Sequence, residues 1–291
     1  MICGLWAAAG AAQELSPRSF WPAPRGTKVA VFGYSRVSGD VLMDPSLPID
    51  GGESTINTGF LAYMQTFSLW GRTSNFVVEL PYSWGTSNGF FLGYPLQGDF
   101  SGFNDLGATL AVNIFGAPSM NPAEYLELRA KPRQMLGASV KVLFPTGNYD
   151  KLKLTNPGAN RWAVKAEAGY LVPITDRWIL ELEGGVSFFG DDEYFLPGTR
   201  HQNPIFSTEV HLIRRFRPGF WASAEANFYM GGDQNIGGNQ LIDLQRNSRI
   251  GGTLVFPFLD RYSVKVGYSS NIVADYGMDY DQFLVSYQVV F

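Results

Sequence analysis

Charge is scarce in this sequence. Asp, Glu, Lys and Arg make up 16% of its 291 residues, against about 25% in an ordinary soluble domain. The net charge of −4 and the lack of any Lys/Arg run argue against a nucleic-acid binder. Cysteine is nearly missing. Cys3 stands alone, which excludes a disulfide framework and a Cys-ligated zinc site. No apolar run approaches the ~18 residues that a membrane helix needs, so helical spanning is excluded. Histidine occurs twice, at 201 and 211. Low charge without membrane helices leaves few classes.

Alternation is what the chain has instead. From residue 27 onward, twelve segments alternate apolar and polar side chains: 27–36, 57–70, 73–85, 104–116, 133–146, 159–172, 176–190, 202–216, 219–230, 246–258, 261–270 and 279–291. A strand sends successive side chains to opposite faces, so each segment has one greasy and one polar face. Short connections (Gly71-Arg72, 174–176, 217–218, 259–260) alternate with long ones (37–56, 86–103, 147–158, 191–201, 231–245, 271–278). Short turns on one side and long loops on the other are the rhythm of a membrane barrel. The exception is 117–132, where a short turn is due. There Asn121 is a capping residue, Pro122 suits the first helical position, Glu124 completes a capping box and Pro132 ends the run, so the sequence predicts a periplasmic helix near 121–131.

Two features separate a barrel from a soluble sheet. The apolar stripe Phe76, Val78, Leu80, Tyr82, Trp84 and the stripe Trp178, Leu180, Leu182, Gly184, Val186, Phe188 carry aromatics at their ends, as lipid-interface girdles do. Trp162, Tyr170, Phe228, Phe256, Phe258, Tyr262 and Tyr268 fall in similar places. The opposite faces carry Glu79, Asp105, Lys141, Arg161, Lys165, Glu167, Glu181, Glu183, Glu209, Arg215, Glu225, Arg249 and Lys265, seven acids and six bases, with His211 beside Glu209. Facing them to a polar lumen avoids the ~2–4 kcal/mol that Lys or Arg costs at the bilayer midplane. Arg214 falls on the lipid face near a strand end, where it snorkels. The expected fold is an all-β, antiparallel up-and-down transmembrane barrel of about twelve strands.

The ends fit that picture. MICGLWAAAGAAQ reads as part of a secretory signal over 1–12, with Ala9-Gly10-Ala11 as a cleavage site. Residues 13–26 are a leader or partial plug, residues 27–291 the barrel, and no passenger domain is read ahead of it. The last strand is apolar at Phe283, Val285, Tyr287, Val289 and Phe291; Phe291, Val289 and Tyr287 have the form of an outer-membrane targeting signal read by the barrel-assembly machinery.

LFPTGNYDKLKLTNPGANRWAVKAEAGY (143–170) resembles the signature stretch of the meta-pathway phenol degradation family of outer-membrane proteins. SFWPAPRGTKVAVFGYSRVSGD (19–40), GAPSMNPAEY (116–125), HQNPI (201–205), FWASAEANFYMGGDQ (220–234) and NSRIGGTLVFP (247–257) follow its pattern. The most specific piece is FPTGNYD followed by NRW. The resemblance spans nearly the whole chain after the signal and implies outer-membrane uptake of small hydrophobic or aromatic compounds.

Chemistry is not written into the residues. His201 and His211 lack a Ser or Thr two positions on, the arrangement that barrel lipid hydrolases use, so no enzyme is expected. Asp191, Asp192 and Glu193 read as solvated loop acids rather than a metal site, and GGDQNIGG (231–238) lacks the Lys-Ser/Thr of a phosphate loop. No cofactor is expected. The expected function is a narrow channel whose width the lumen charges set with Tyr229, Trp221 and Phe189. Pro81 lies mid-strand without a ladder donor, and marks a possible lateral opening. The competing reading is a structural or adhesive barrel with a plugged lumen. The expected surroundings are outer-membrane lipid and lipopolysaccharide, with no nucleic acid.

Overall fold

A computed structural model describes residues 17–40, 49–91, 94–151, 153, 156–195, 198–241, 243–275 and 279–291; the signal segment 1–12 lies outside them. The strands are β1 (Lys28–Asp40), β2 (Ile49–Leu69), β3 (Arg72–Phe91), β4 (Tyr94–Phe103), β5 (Leu106–Phe115), β6 (Met135–Phe144), β7 (Ala163–Pro173) and β8 (Trp178–Phe189). They continue with β9 (Arg200–Gln202), β10 (Ile205–Arg217), β11 (Phe220–Gly231), β12 (Gln234–Ile236) and β13 (Asn239–Gln240). The chain then closes with β14 (Gln245–Phe258), β15 (Tyr262–Asp275) and β16 (Asp279–Val290).

Thirteen of these form one antiparallel sheet in the order β2-β1-β16-β15-β14-β11-β10-β8-β7-β6-β5-β3-β4, and β2 also pairs with β3. The sheet is therefore closed. Because β4 and β5 both pair with β3, on its outer and inner halves, the wall has twelve positions. Closure is at β1–β16, where Lys28 and Phe291 exchange backbone hydrogen bonds of 3.2 and 3.0 Å. A closed ladder satisfies every wall amide internally, which hydrocarbon requires. Among the described residues no helix is long and apolar enough to cross a membrane.

Burial alternates with the pleat. Phe32, Leu61, Phe76, Leu110, Val140, Leu182, Val210, Leu254 and Phe283 face outward and are exposed, while their neighbours along each strand are buried or half-buried. Aromatics collect at both rims of this apolar band: Tyr82 packs edge-on against Phe103 and Phe144 against Trp162 at one, and Phe258, Tyr262 and Tyr287 form a mutually contacting cluster at the other. Arg214, on the outward side, folds its guanidinium over Trp178 at 4.8 Å.

Several boundaries differ from the sequence expectation: strand enters the expected loops 37–56, 191–201, 231–245 and 271–278, because β1 runs to Asp40, β2 starts at Ile49, β15 runs to Asp275, and β9, β12 and β13 form a small sheet of their own. The β2–β3 turn is Trp70-Gly71 rather than Gly71-Arg72: both turn residues have positive φ, 51° and 74°, as a two-residue hairpin demands. Much of the expected loop 86–103 is instead the outer half of β3 and all of β4. Its Gly, Ser and Pro read as a loop, but backbone pairing with β2 and β3 carries it. The helix α1 (Pro122–Ala130) stands in the β5–β6 connection. Asn121 accepts from the Glu124 amide at 3.0 Å and Glu124 accepts from the Asn121 amide at 2.8 Å.

Candidate functional site

The barrel interior has two unlike sides. On β6–β8, β10, β11, β14 and β15 the inward positions include charges. The Glu79 side chain runs from β3 across Gly107 of β5, where a Cβ would lie 2.5 Å from its carboxylate, and pairs with Lys141 on β6. Lys165 pairs with Glu167 on β7 and lies 3.6 Å from Glu209 on β10. Glu181, Glu183, Glu209, His211 and Glu225 are all buried, and Ser223 donates to Glu225 at 2.6 Å. Arg249 lies 3.7 Å above the Tyr280 ring and donates to Ser269 and Asn271, and Lys265 is buried on β15. Opposite-charge pairs at these depths offset the cost of desolvating each ion alone.

The second side, on β1–β3 and β16, has Glu79 as its one paired charge among the described residues, and sets apolar clusters among uncharged polar side chains such as Ser35, Thr58, Thr66, Ser286 and Gln288. Val29, Val31, Phe60, Ala62, Met64 and Val77 form one buried inward cluster with Leu284 against it. Phe60 lies flat over Gly33, where a Cβ would come within 1.9 Å of the ring. Ile56, Phe100 and Tyr280, with Val37, continue it toward the outer end. Between the clusters runs a polar seam: Thr58 and Ser83 share a hydrogen bond of 2.8 Å, and Ser83 donates to Asn104 at 2.7 Å.

The inner mouth is covered by the segment before β1. Phe20 and Trp21 are 1% and 2% exposed, and they pack with Leu128 of α1, Met135, Leu171, Ile179 and Trp221. The Phe20 ring rests on Gly137 and Gly169, which face each other across β6 and β7; a Cβ on either would meet it at 2.3 Å. Arg18 and Arg215 flank Trp21 at 4.5 and 5.3 Å, and Arg18 also reaches over Trp221. The Arg18 amide donates to Glu181 at 2.6 Å. Burial, opposed by Tyr125 and Glu181, pulls the Arg18 guanidinium down to about 10. A cavity of about 940 Å³ opens beside this stack. The sequence signal for the contact was the pair of strand glycines, since glycine within a strand marks a close approach.

The outer end is knitted by the FPTGNYD and NRW stretches. Asp105 is the extra residue where β4 passes into β5; its two oxygens accept from the Gly147 and Ala159 amides, each at 2.9 Å, so it holds the outer loop. Asp192, expected as a solvated loop acid, is instead fully buried. It accepts from Tyr149 at 3.0 Å, Asn160 at 2.9 Å and the Tyr194 amide at 3.1 Å, with Arg200 at 3.9 Å. These four polar partners offset the cost of taking the carboxylate out of water. Arg161 continues the chain of contacts to Gln202, and stacks over Phe189 at 4.9 Å. Tyr229 and Trp221 are buried and inward.

Pro81 also faces inward, and it coincides with a slip in the wall. β3 pairs Tyr82 with Phe103 on β4 but Glu79 with Gly107 on β5, so the register shifts by one residue at Pro81. The Asn104 amide donates to the Pro81 carbonyl at 3.0 Å.

Solved structures agree with this architecture. The COG4313 outer membrane channel from Pseudomonas putida F1 matches with a TM-score of 0.79 at 21% identity, over 96% of this chain and all of that one. The β-domain of the Bordetella autotransporter BrkA matches at 0.55 with 12% identity, over 92% and 100%, and the transport unit of the Escherichia coli autotransporter AIDA-I at 0.53 with 9%, over 97% and 94%. No curated protein matches the sequence. The fold and its apolar band place the protein in the bacterial outer membrane. A family model described as "Putative MetA-pathway of phenol degradation" matches residues 33–287, and the chain belongs to that family.

Proposed function

We propose that the protein is an outer-membrane channel that takes up small hydrophobic or aromatic compounds. The observation that carries this reading is the two-sided lumen: an inward apolar strip on β1–β3 faces a charged wall of paired side chains. A narrow solute with a ring and one polar group meets a partner on each side. Glu79, Lys141, Arg161, Lys165, Glu167, Glu181, Glu183, Glu209, His211, Arg215, Glu225, Arg249 and Lys265 line the route in this reading, with Asp105 bracing its outer rim. Residues 17–24 are the plug of the inner mouth. Pro81 and the register slip beside it are the weak point for lateral release into the membrane, so Pro81→Val slows uptake of an apolar solute if release is lateral. Phe291, Val289 and Tyr287 are the strand read by the barrel-assembly machinery, and lipopolysaccharide surrounds the outer half.

The buried ion pairs favour one competing reading, a structural or adhesive barrel sealed across its lumen. Single-channel conductance of the refolded barrel in a planar bilayer separates the two, using wild type and the Phe20→Gly/Trp21→Gly double variant with and without phenol. A transport channel shows rare openings in wild type and frequent ones in the variant, perturbed by phenol in both. A wild type and a folded variant that are both silent overturn the channel reading.

A further inference from the structure

The charge ladder on β8 and β10 is unbalanced at one point. Glu183 and Glu209 are direct cross-strand partners on the inward face, and the next inward pair is Glu181 with His211. Like charges directly opposite each other destabilise a sheet, and these are 5% and 3% exposed. Glu209 turns one oxygen toward Lys165, at 3.6 Å. The other, Oε2, has no hydrogen-bond partner, nor has Oε1 of Glu183 or either ring nitrogen of His211, which is 0% exposed. Oε2 of Glu209 and Nε2 of His211 approach to 3.4 Å without a hydrogen-bonding alignment. One donor atom from each of Glu183, Glu209 and His211 falls within 4.8 Å of the others.

We propose that Glu183, Glu209 and His211 form a site for one divalent transition-metal ion inside the barrel wall. Two carboxylates cancel the charge of the ion, and a neutral imidazole completes a mixed oxygen–nitrogen set that suits zinc or a neighbouring first-row metal. Closing the ligand atoms onto an ion at about 2.0–2.2 Å needs only rotamer adjustments of two flexible glutamates. The ion gives the unpartnered atoms a common partner and leaves Lys165 to Glu167. It also ties β8 to β10 directly below the plug, whose Arg18 amide is bonded to Glu181.

The test uses the full barrel refolded with Zn²⁺, desalted and assayed for bound metal. All proteins carry His201→Ala, because His201 and Asp191, 2.7 Å apart on the surface, are a second binding pair. The expected result is about one zinc per barrel, with affinity at least tenfold weaker in Glu183→Gln and in His211→Asn. Should those variants fail to refold, X-ray absorption of the zinc-loaded parent decides, and one imidazole with carboxylate oxygens at about 2.0–2.2 Å is the expected shell. A barrel that retains no zinc, variants that retain it undiminished, or a shell without imidazole each overturn the site.

Discussion

The two inward faces of this barrel solve the same problem by different means. On β1–β3, Val31, Phe60, Met64 and Val77 fill space by apolar contact, and Phe60 closes onto a glycine. On β6–β8, β10 and β11 much of the space is filled by long charged side chains, and at the border of the two faces Glu79 of β3 crosses Gly107 of β5 to reach Lys141. The apolar face is indifferent to what slides past it. The charged face is stable only as a set, because each ion there depends on its partner. A lumen built this way offers a solute one permissive wall and one fixed wall, which is the arrangement a small ring compound needs.

That contrast makes graded predictions. Lys141→Met leaves Glu79 ionised in a buried place, and removing one partner of a buried pair costs about 3–5 kcal/mol; urea unfolding of the refolded barrel measures it. A loss below about 1 kcal/mol would mean water reaches the pair freely. Met64→Ala deletes apolar contact without stranding a charge, and the cost is about 2–3 kcal/mol by the same assay. Thr58→Val cuts the Thr58–Ser83 hydrogen bond at the seam between the two apolar clusters, for about 1 kcal/mol. Reversing the order of the first two would erase the distinction between the faces.

The outer architecture was legible in the sequence because lipid tolerates one solution. The twelve wall positions, the capped helix at 122–130 and the outward stripes of Phe76, Leu80 and Leu182 follow from alternation and capping alone. The inward apolar strip was not legible. Val29, Val31, Ala30 and Phe32 make both faces of β1 apolar, so the period identifies a strand without saying which side is lumen. The plug contact was half legible: residues 13–26 read as a leader or partial plug, but the seat of Phe20 depends on Gly137 and Gly169 meeting through a register that only pairing fixes. Burial of Asp192 was hidden for the same reason, its partners coming from a different loop.

The most direct test of the two-sided lumen is phenol entry into proteoliposomes carrying wild type, the Phe60→Gln/Met64→Gln variant or the Glu79→Gln/Lys141→Met variant. Altering the apolar face should slow entry about fivefold or more, as ~1 kcal/mol of lost contact with the passing ring implies. Neutralising the ion pair in both partners should leave entry within about twofold of wild type. If the apolar variant transports at the wild-type rate while the ion-pair variant does not, the permissive wall has been assigned to the wrong side and the account fails.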